Sequence, residues 1–383
     1  MTTAQTPPAI TITSPIQGSV LHARLGQPVP GGLQIQLSGE VTPGCQVTVQ
    51  GQPAAVVEGR FSAPVVLNAA ETEVVAVAHG PTGSHQTSIR LLWDRHSRPR
   101  YRFAIDDNSF FLRDIWRQQY PSLFDCFYLR MLRDLHEKYR TRFVLNIYYT
   151  TGDEFDLSRF PDRYQSEWRD NAHWLRLAFH AHADKPDRPY QDASPQQLLA
   201  DFDRVVEQIH RFAPDAYSPT TVIHWGMVRP EAYKPLYDRG VRVLSGYFQP
   251  RKQGWNTMEG DPSAESGSGW DVNYGLDAQR SAWLWRHDAL KDFDSGLLFS
   301  RMDLVCNIVP LDQIVPTLQE VLADPQRAEI VDILTHEQYF WPFYDRYLPD
   351  HAQRLDAALG FLTEHGYEPV FLHEGFLGGP EPG

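Results

Sequence analysis

The sequence has few cysteines and no long apolar run, and each absence excludes a class of protein. Its three cysteines, Cys45, Cys126 and Cys306, lie far apart and form no Cys-x-x-Cys pair. We therefore expect small buried thiols rather than a disulfide framework or a cysteine metal site. No stretch of the chain approaches the roughly 20 apolar residues that a membrane-spanning helix needs, so no membrane partner is expected.

Basic charge is also scarce. The formal net charge is −13, and because phosphate-binding surfaces need a basic face, we expect no nucleic-acid partner. The first residues lack the basic start and apolar core of a secretion signal, so a cytoplasmic location is expected. Composition does not indicate the oligomeric state.

Residues 9–94 have the pattern of an all-β domain. Apolar residues alternate in the segments 33–37, 47–49 and 74–77, and turn clusters such as Pro43-Gly44 separate these short runs. Such spacing predicts a β-sandwich. The segments 58–61, 65–67 and 72–77 resemble bacterial immunoglobulin-like modules, and this resemblance implies an immunoglobulin-like sandwich.

Residues 101–375 alternate between candidate strands and helices. Ser194 and Pro195 have the signature of a helix start, and Gln197 would complete a capping box. Repeated strand–helix units over this length predict an α/β fold, a distorted (β/α) barrel of seven or eight strands. The candidate strands are Arg102–Asp106, Phe143–Tyr148, Arg176–His180, Thr221–Trp225, Arg242–Tyr247, Leu304–Val309, Ile330–Leu334 and Pro369–Leu372.

Reactive side chains follow four of these strands. In a (β/α) barrel the carboxyl ends of the strands form the active-site face, so such residues are expected to meet there. They are Asp106 and Asp107 after the first strand, His180, His182 and Asp184 after the third, His224 with Trp225 after the fourth, and His336 with Glu337 and Tyr339 after the seventh.

Three of these segments, in this order, resemble the motifs of the NodB-homology polysaccharide deacetylases, carbohydrate esterase family 4. Asp106-Asp107 is similar to the first motif, the turn beginning at His180 to the second (His-x-x-x-His), and Leu334-Thr-His336 to the last. The resemblance implies a metal-dependent hydrolase that removes acyl groups from an amino sugar or an esterified glycan. It also implies that Asp106 is the catalytic base, Asp107 a metal ligand and His336 the general acid.

The second motif departs from the family pattern, because Asp184 stands where a second histidine is expected. Either Asp184 is the third ligand after Asp107 and His180, or His182 replaces it; we favour Asp184 because it keeps the spacing. The ion is expected to be divalent, zinc first, with cobalt, nickel or manganese as alternatives. The family's Arg-x-Pro-x-Gly segment, which orients the base, has no clean counterpart.

The remaining predicted contacts are with a carbohydrate substrate. His224, Trp225, Glu337, Tyr339 and Trp285 are the candidates. Several aromatic rings crowd an irregular stretch over residues 249–286, where they could stack on sugar rings or form the stretch's own small core. These rings include Trp255, Trp270, Trp283 and Tyr274.

Two other functions fit the same residues. A glycoside hydrolase on the same barrel would use a pair of carboxylates without metal, and Asp106 with Glu337 would be that pair. A glycan-binding protein that has lost its chemistry would fit the missing arginine segment.

Overall fold

The computed structural model describes residues 8–247 and 274–381. The chain divides into two compact units. The first comprises the described parts of Met1–Ser97 and Pro380–Gly383 together with Ala289–Phe293, and the second comprises those of Arg98–Asp288 and Asp294–Gly379. Among the described residues, no helix has both the length and the apolar character of a membrane span.

The first unit is built from short strands in two sheets. One sheet has the order β1–β4–β8–β7 with β3 also paired to β4, and the other has the order β2–β10–β9–β5–β6. Alternate residues of β4 and β8 are buried, as the alternating sequence predicts. The strands are β1 Ile10–Ser14, β2 Val20–Leu21, β3 Gln27–Val29, β4 Gly32–Val41, β5 Gln46–Val49, β6 Gln52–Pro53, β7 Ala55–Val57, β8 Arg60–Leu67, β9 Glu71–Gly80 and β10 Gly83–Trp93. Ala289–Lys291 is a further short strand, which belongs to neither of these two sheets.

The second unit alternates strands with helices, so the chain as a whole is mixed α/β. Its strands are β11 Arg100–Asn108, β12 Phe143–Tyr148, β13 Thr150–Thr151, β14 Phe155–Asp156, β15 Leu175–Ala181, β16 Thr220–Thr221, β17 Val243–Tyr247, β18 Leu298–Arg301, β19 Leu304–Val305, β20 Ile330–His336 and β21 Glu368–Pro369. Its helices are α1 Phe110–Gln118, α2 Phe127–Tyr139, α3 Gln165–Asn171, α4 Pro195–Phe212, α5 Tyr233–Asp238, α6 Ala278–Leu284, α7 Leu311–Ala323 and α8 His351–Glu364.

The parallel strands of this unit lie side by side in a ring. β15, β12, β11, β20 and β19 are neighbours in that order, and β16, β17 and β18 form a second series. The continuous segment 298–305 belongs to both series, because β18 pairs with β17 and β19 pairs with β20. On the other side, a bridge between Leu177 and Tyr217 joins the two series. All these strands therefore direct their carboxyl ends to one face.

Most predicted strands are present, with altered lengths. The strand predicted at Thr221–Trp225 is only Thr220–Thr221 and is followed by a tight turn at His224–Gly226, where Trp225 has a left-handed backbone with φ 60°. The strand predicted at Leu304–Val309 ends at Val305, and Leu298–Arg301, which was not predicted, is a strand. The sequence pattern did not show that one segment would be shared between two sheets.

Helix α4 begins as predicted, with one difference at its cap. The Ser194 hydroxyl accepts a hydrogen bond from the Gln197 backbone N–H at 3.3 Å. The Gln197 side chain does not complete a capping box; it donates to the carboxylate of Asp201 at 3.1 Å. Asp201 lies one turn further along the same helix, so its carboxylate can accept the hydrogen bond from the Gln197 amide in place of the capping-box contact.

The three cysteines are free and buried, which confirms the prediction from their spacing. Burial raises the pKa of both Cys126 and Cys306 to about 12. Thiols in such surroundings are unreactive at neutral pH, because the thiolate is the reactive form.

Candidate metal centre

Both adjacent aspartates at the end of β11 reach the site because the strand is irregular there, whereas successive side chains of a regular strand point to opposite faces. The pairing with β12 shifts register between Ile105 and Asn108. Asp107 has a left-handed backbone with φ 60°, a conformation that aspartate adopts more readily than most residues. Asp106 remains in register opposite His336 of β20. The irregularity thus gives the two carboxylates separate environments.

Asp107 lies among side chains from four strand ends. Its Oδ1 is 2.9 Å from His180 Nε2 and 3.4 Å from His224 Nδ1, and it accepts a short hydrogen bond from the Tyr148 hydroxyl. Its Oδ2 accepts a hydrogen bond from Gln338 Nε2 at 2.7 Å. Within the described part of the chain, Asp107, His180 and His224 form the one His/Cys/Asp/Glu group whose ligand atoms could hold a metal ion, all within 4.8 Å of one another.

Both imidazoles are oriented by backbone carbonyls. Nδ1 of His180 lies 2.5 Å from the Val222 carbonyl oxygen, and Nε2 of His224 lies 3.3 Å from the Asp184 carbonyl oxygen. When these nitrogens donate, the opposite nitrogens carry lone pairs. Those two nitrogens, His180 Nε2 and His224 Nδ1, are 3.1 Å apart and both face Asp107.

The electrostatics reflect this crowding. Burial would raise the pKa of Asp107, but the imidazoles of His336, His180 and His224 outweigh it and hold that pKa well below its ordinary value. Burial opposes protonation of His180, yet the carboxylates of Asp106 and Asp107 outweigh it, so the pKa of His180 is raised. The group therefore attracts positive charge, whether a proton or a metal cation.

Asp106 lies beside this cluster and is held by an amide. Its Oδ1 accepts a hydrogen bond from Asn146 Nδ2 at 2.7 Å, and Asn146 is itself fixed because its Oδ1 accepts from the Val222 backbone N–H at 3.0 Å. Burial is the main cause of the raised pKa of Asp106. A carboxylate with this environment is suited to accept a proton.

His336 faces the cluster from the neighbouring strand β20. Its Nε2 is 4.0 Å from Asp107 Oδ2, and its Nδ1 lies 2.8 Å from the side-chain carbonyl oxygen of Asn307. Because that oxygen accepts a hydrogen bond, Nδ1 carries a hydrogen and Nε2 is directed to the site. The side chain is 26% exposed, so it can reach a bound substrate.

Glu337, which was predicted to contact substrate, is fully buried and has another role. Its carboxylate accepts hydrogen bonds from the backbone N–H groups of Ser109, Phe110 and Phe111 at 2.6–2.9 Å and from the Trp341 indole at 3.0 Å. The first three amides lie at the start of α1, so the side chain caps this helix. Burial raises its pKa to about 7 even though these four donors oppose the rise.

The structure does not bring together every residue that was predicted as a ligand. Asp184 is exposed; its carboxylate is 3.5 Å from the Tyr148 hydroxyl, and it is not in the ligand group. His182 lies outward, stacked on Tyr149 with ring centroids 5.3 Å apart. The position that the sequence assigned to Asp184 is filled by His224, which was predicted to contact substrate.

The other predicted substrate contacts pack against side chains of the protein. Trp225 is half-buried with the guanidinium of Arg188 5.4 Å from its ring, and Trp285 packs in the same way against Arg301 at 4.9 Å. Tyr339 is buried beside His336, with ring centroids 6.3 Å apart. Trp255 and Trp270 lie outside the described residues, so the role of the stretch 249–286 stays a prediction.

Four residues that contact the site were not predicted from the sequence. Tyr148 and Asn146 stand at the end of β12, Asn307 follows β19, and Gln338 follows His336. The pattern in the sequence that could have indicated them is an amide or a phenol at the end of a strand. The end of β12, Asn146-Ile-Tyr148, has this pattern, and its location next to β11 is what brings both side chains to the site.

The residues present fit a divalent metal ion. Ligand atoms on a tetrahedral metal at about 2.0–2.1 Å are about 3.3–3.4 Å apart. The three separations among Asp107 Oδ1, His180 Nε2 and His224 Nδ1 are 2.9, 3.1 and 3.4 Å. Metal-binding histidines almost always donate their other N–H to a carbonyl or carboxylate, as both imidazoles do here.

No protein-family profile matches the chain, and no curated protein does. Among solved structures, the chain is similar to a carbohydrate esterase family 4 esterase from Streptococcus mutans, with 7% identity, a TM-score of 0.36, and 71% of this chain and 85% of that chain covered. It is also similar to a protein from Bordetella bronchiseptica, named as a candidate polysaccharide deacetylase of O-antigen biosynthesis, with 12% identity, a TM-score of 0.34 and coverages of 68% and 84%.

A further similarity is to 4-α-glucanotransferase from Thermococcus litoralis, with 10% identity, a TM-score of 0.40, and 70% of this chain and 38% of that chain covered. For a modular endo-β-1,4-mannanase from Cellulomonas fimi the identity is 20% and the TM-score 0.17 over 24% of this chain. The chain spans a fifth of that enzyme's length, with 20% covered.

Proposed function

We propose that this protein is a metal-dependent hydrolase that removes acyl groups from a carbohydrate. The observation that carries the proposal is the convergence of Asp107 Oδ1, His180 Nε2 and His224 Nδ1 at the carboxyl ends of parallel strands, with both imidazoles held by backbone carbonyls. Asp107, His180 and His224 would hold the ion. When bound, a divalent ion supplies a water whose pKa is lowered to about 7 and polarises the acyl carbonyl.

The residues around the cluster supply the proton transfers. Asp106, oriented by Asn146, is placed to accept a proton from the attacking water. His336, whose Nδ1–H is donated to Asn307, is placed to give a proton from Nε2 to the leaving amine or alcohol. Acyl transfer to water requires a base and an acid, and Asp106 and His336 lie in register on neighbouring strands.

The carbohydrate part of the proposal is supported by aromatic rings beside His336. The ring of Tyr339 lies 5.5 Å from that of Tyr344, and Phe110 lies 6.5 Å from Tyr344 and 5.2 Å from Phe343. Phe343 is 59% exposed. A series of rings that ends at an exposed face is suited to stack on sugar rings.

The carboxylate pair predicted for a glycosidase, Asp106 with Glu337, cannot act as such a pair. Glu337 is fully buried, and its oxygens are occupied by four donors from the protein. A paired-carboxylate mechanism needs both groups to reach the glycosidic bond. We therefore favour metal-dependent deacylation.

The test is metal content and acetate release by tag-free protein. Samples are incubated with zinc, cobalt, nickel or manganese, analysed by mass spectrometry, and supplied with N-acetylated and O-acetylated oligosaccharides with and without a chelator. We expect about one metal per chain and chelator-sensitive release of acetate. Asp107→Ala should lose both, whereas Asp153→Ala, which alters an exposed carboxylate, should lose neither. Wild-type protein that retains none of the four ions would refute the proposal.

A further inference from the structure

The end of β12 places a phenol inside the ligand cluster. Tyr148 is 2% exposed, and its ring packs against the imidazoles of both His180 and His224, with centroids 5.1 and 5.3 Å away. Its hydroxyl donates a short hydrogen bond to Asp107 Oδ1 and lies 3.1 Å from His224 Nδ1. The phenolic oxygen is therefore in contact with two of the three ligand atoms.

We propose that the hydroxyl oxygen of Tyr148 is a fourth protein ligand of the metal ion held by Asp107, His180 and His224, an inference that rests on the proposed metal site. The four donor atoms form a compact group, with neighbouring atoms at most 3.4 Å apart along the path His180–Asp107–His224–Tyr148. Those separations suit the vertices of one coordination sphere. Metal binding replaces the phenolic proton, which is released to solvent.

The alternative is that Tyr148 only orients Asp107 through a hydrogen bond. The surroundings of its hydroxyl favour the ligand role, because they hold more acceptors than one hydrogen can serve, although His224 Nε2 also lies 3.3 Å away. Asp107 Oδ1, His224 Nδ1 and, at 3.5 Å, Asp184 Oδ1 all offer lone pairs. The single phenolic hydrogen can be donated to only one of these acceptors. A cation, by contrast, can accept lone pairs from several oxygen and nitrogen atoms at once.

A fourth protein ligand would change which metal ions the centre binds most tightly. Two imidazoles with a carboxylate and a phenolate form a harder donor set than two imidazoles and one carboxylate. Structural zinc sites carry four protein ligands, whereas catalytic sites carry three and an open position. With Tyr148 as a fourth ligand, the ion would need a further position for the water or the substrate.

The experiment is a metal titration of tag-free, full-length protein as wild type, Tyr148→Phe and Tyr149→Phe. Tyr149 is the adjacent tyrosine; its ring stacks on His182, outside the ligand group, so it is the matched control. Copper(II) alone is the spectroscopic probe because it binds nitrogen and oxygen sites most tightly in the divalent series. Zinc affinity is measured by competition with a chromophoric chelator, and folding of each variant is checked by circular dichroism.

We expect a phenolate-to-copper charge-transfer band in the wild type and in Tyr149→Phe that is absent from Tyr148→Phe. Zinc affinity should fall at least about tenfold in Tyr148→Phe alone. Zinc bound equally well by all three proteins, or a loss of affinity without any band in the wild type, would overturn the ligand role while leaving the metal site intact. Wild-type protein that binds neither ion would instead overturn the metal centre itself.

Discussion

At the residue scale, the candidate site depends on side chains that hold the reactive groups in place. Asn146 illustrates this role: its amide donates to Asp106 and its carbonyl accepts from the Val222 backbone N–H. Asn146 thus supplies, from β12, a hydrogen bond that fixes Asp106, the proposed base.

Asn146→Asp should separate orientation of the base from metal binding. The aspartate keeps an acceptor for the Val222 backbone N–H but presents a second carboxylate to Asp106, so we expect kcat for acetate release to fall about 10- to 100-fold. Metal content should stay near that of the wild type, because Asn146 contacts none of the three ligand atoms. Steady-state kinetics and mass spectrometry measure the two effects. Unchanged kcat would argue against Asp106 as the base.

At the element scale, the turn from β11 into α1 is held by a residue that follows β20. Glu337 accepts hydrogen bonds from three backbone N–H groups at the start of α1. Asp107 stands near the end of β11, just before this turn, and Gln338, the residue after Glu337, donates to Asp107 Oδ2. The segment that follows β20 therefore holds both the start of α1, through Glu337, and the proposed metal ligand Asp107, through Gln338.

Glu337→Ala should lower the free energy of unfolding by about 2–4 kcal/mol, because it leaves buried N–H groups without acceptors. The matched control is Glu154→Ala. Glu154 also contacts α1, through Arg113 and Arg117, but it is 50% exposed. Surface ion pairs contribute little, so its loss should cost less than about 1 kcal/mol. Urea denaturation gives both values, and equal losses in the two variants would contradict the capping role.

At the scale of the whole molecule, buried neutral histidines in the second unit link its stability to pH. Burial lowers the pKa of His351 and that of His373 to about 3 in the folded protein. In the unfolded chain a histidine has a pKa of about 6.5. Between these values the unfolded state binds more protons, so stability is complete above about pH 6.5 and is lost as the pH falls towards 3.

His351→Gln and His373→Gln should each make acid unfolding less steep. Each substitution removes one proton-binding group of the unfolded state, so the slope of unfolding free energy against pH should decrease by about 1.4 kcal/mol per pH unit between pH 6 and 4. His210→Gln, which alters an exposed histidine of α4, is the control and should leave the slope unchanged. Urea denaturation at several pH values provides the slopes. A slope that stays at the wild-type value in both buried variants would contradict the prediction.

The sequence by itself determined the mixed α/β character of the second unit and placed reactive side chains at strand ends. Apolar runs followed by polar residues locate β11, β12, β15 and β20 to within a few residues, because burial of a strand requires such runs. It also indicated that Asp107, His180 and His336 would meet, since the carboxyl ends of parallel strands share one face.

Only the tertiary structure decided which side chains complete the centre. The sequence spacing favoured Asp184, which follows His180 by four residues. The turn there leaves its carboxylate beside the Tyr148 hydroxyl and outside the ligand group, while its backbone carbonyl orients His224. Strand order likewise brings Asn146 and Tyr148 beside Asp106 and Asp107. Spacing along the chain reports distances within one element, whereas this centre is formed between elements, where pairing register and backbone turns set the distances.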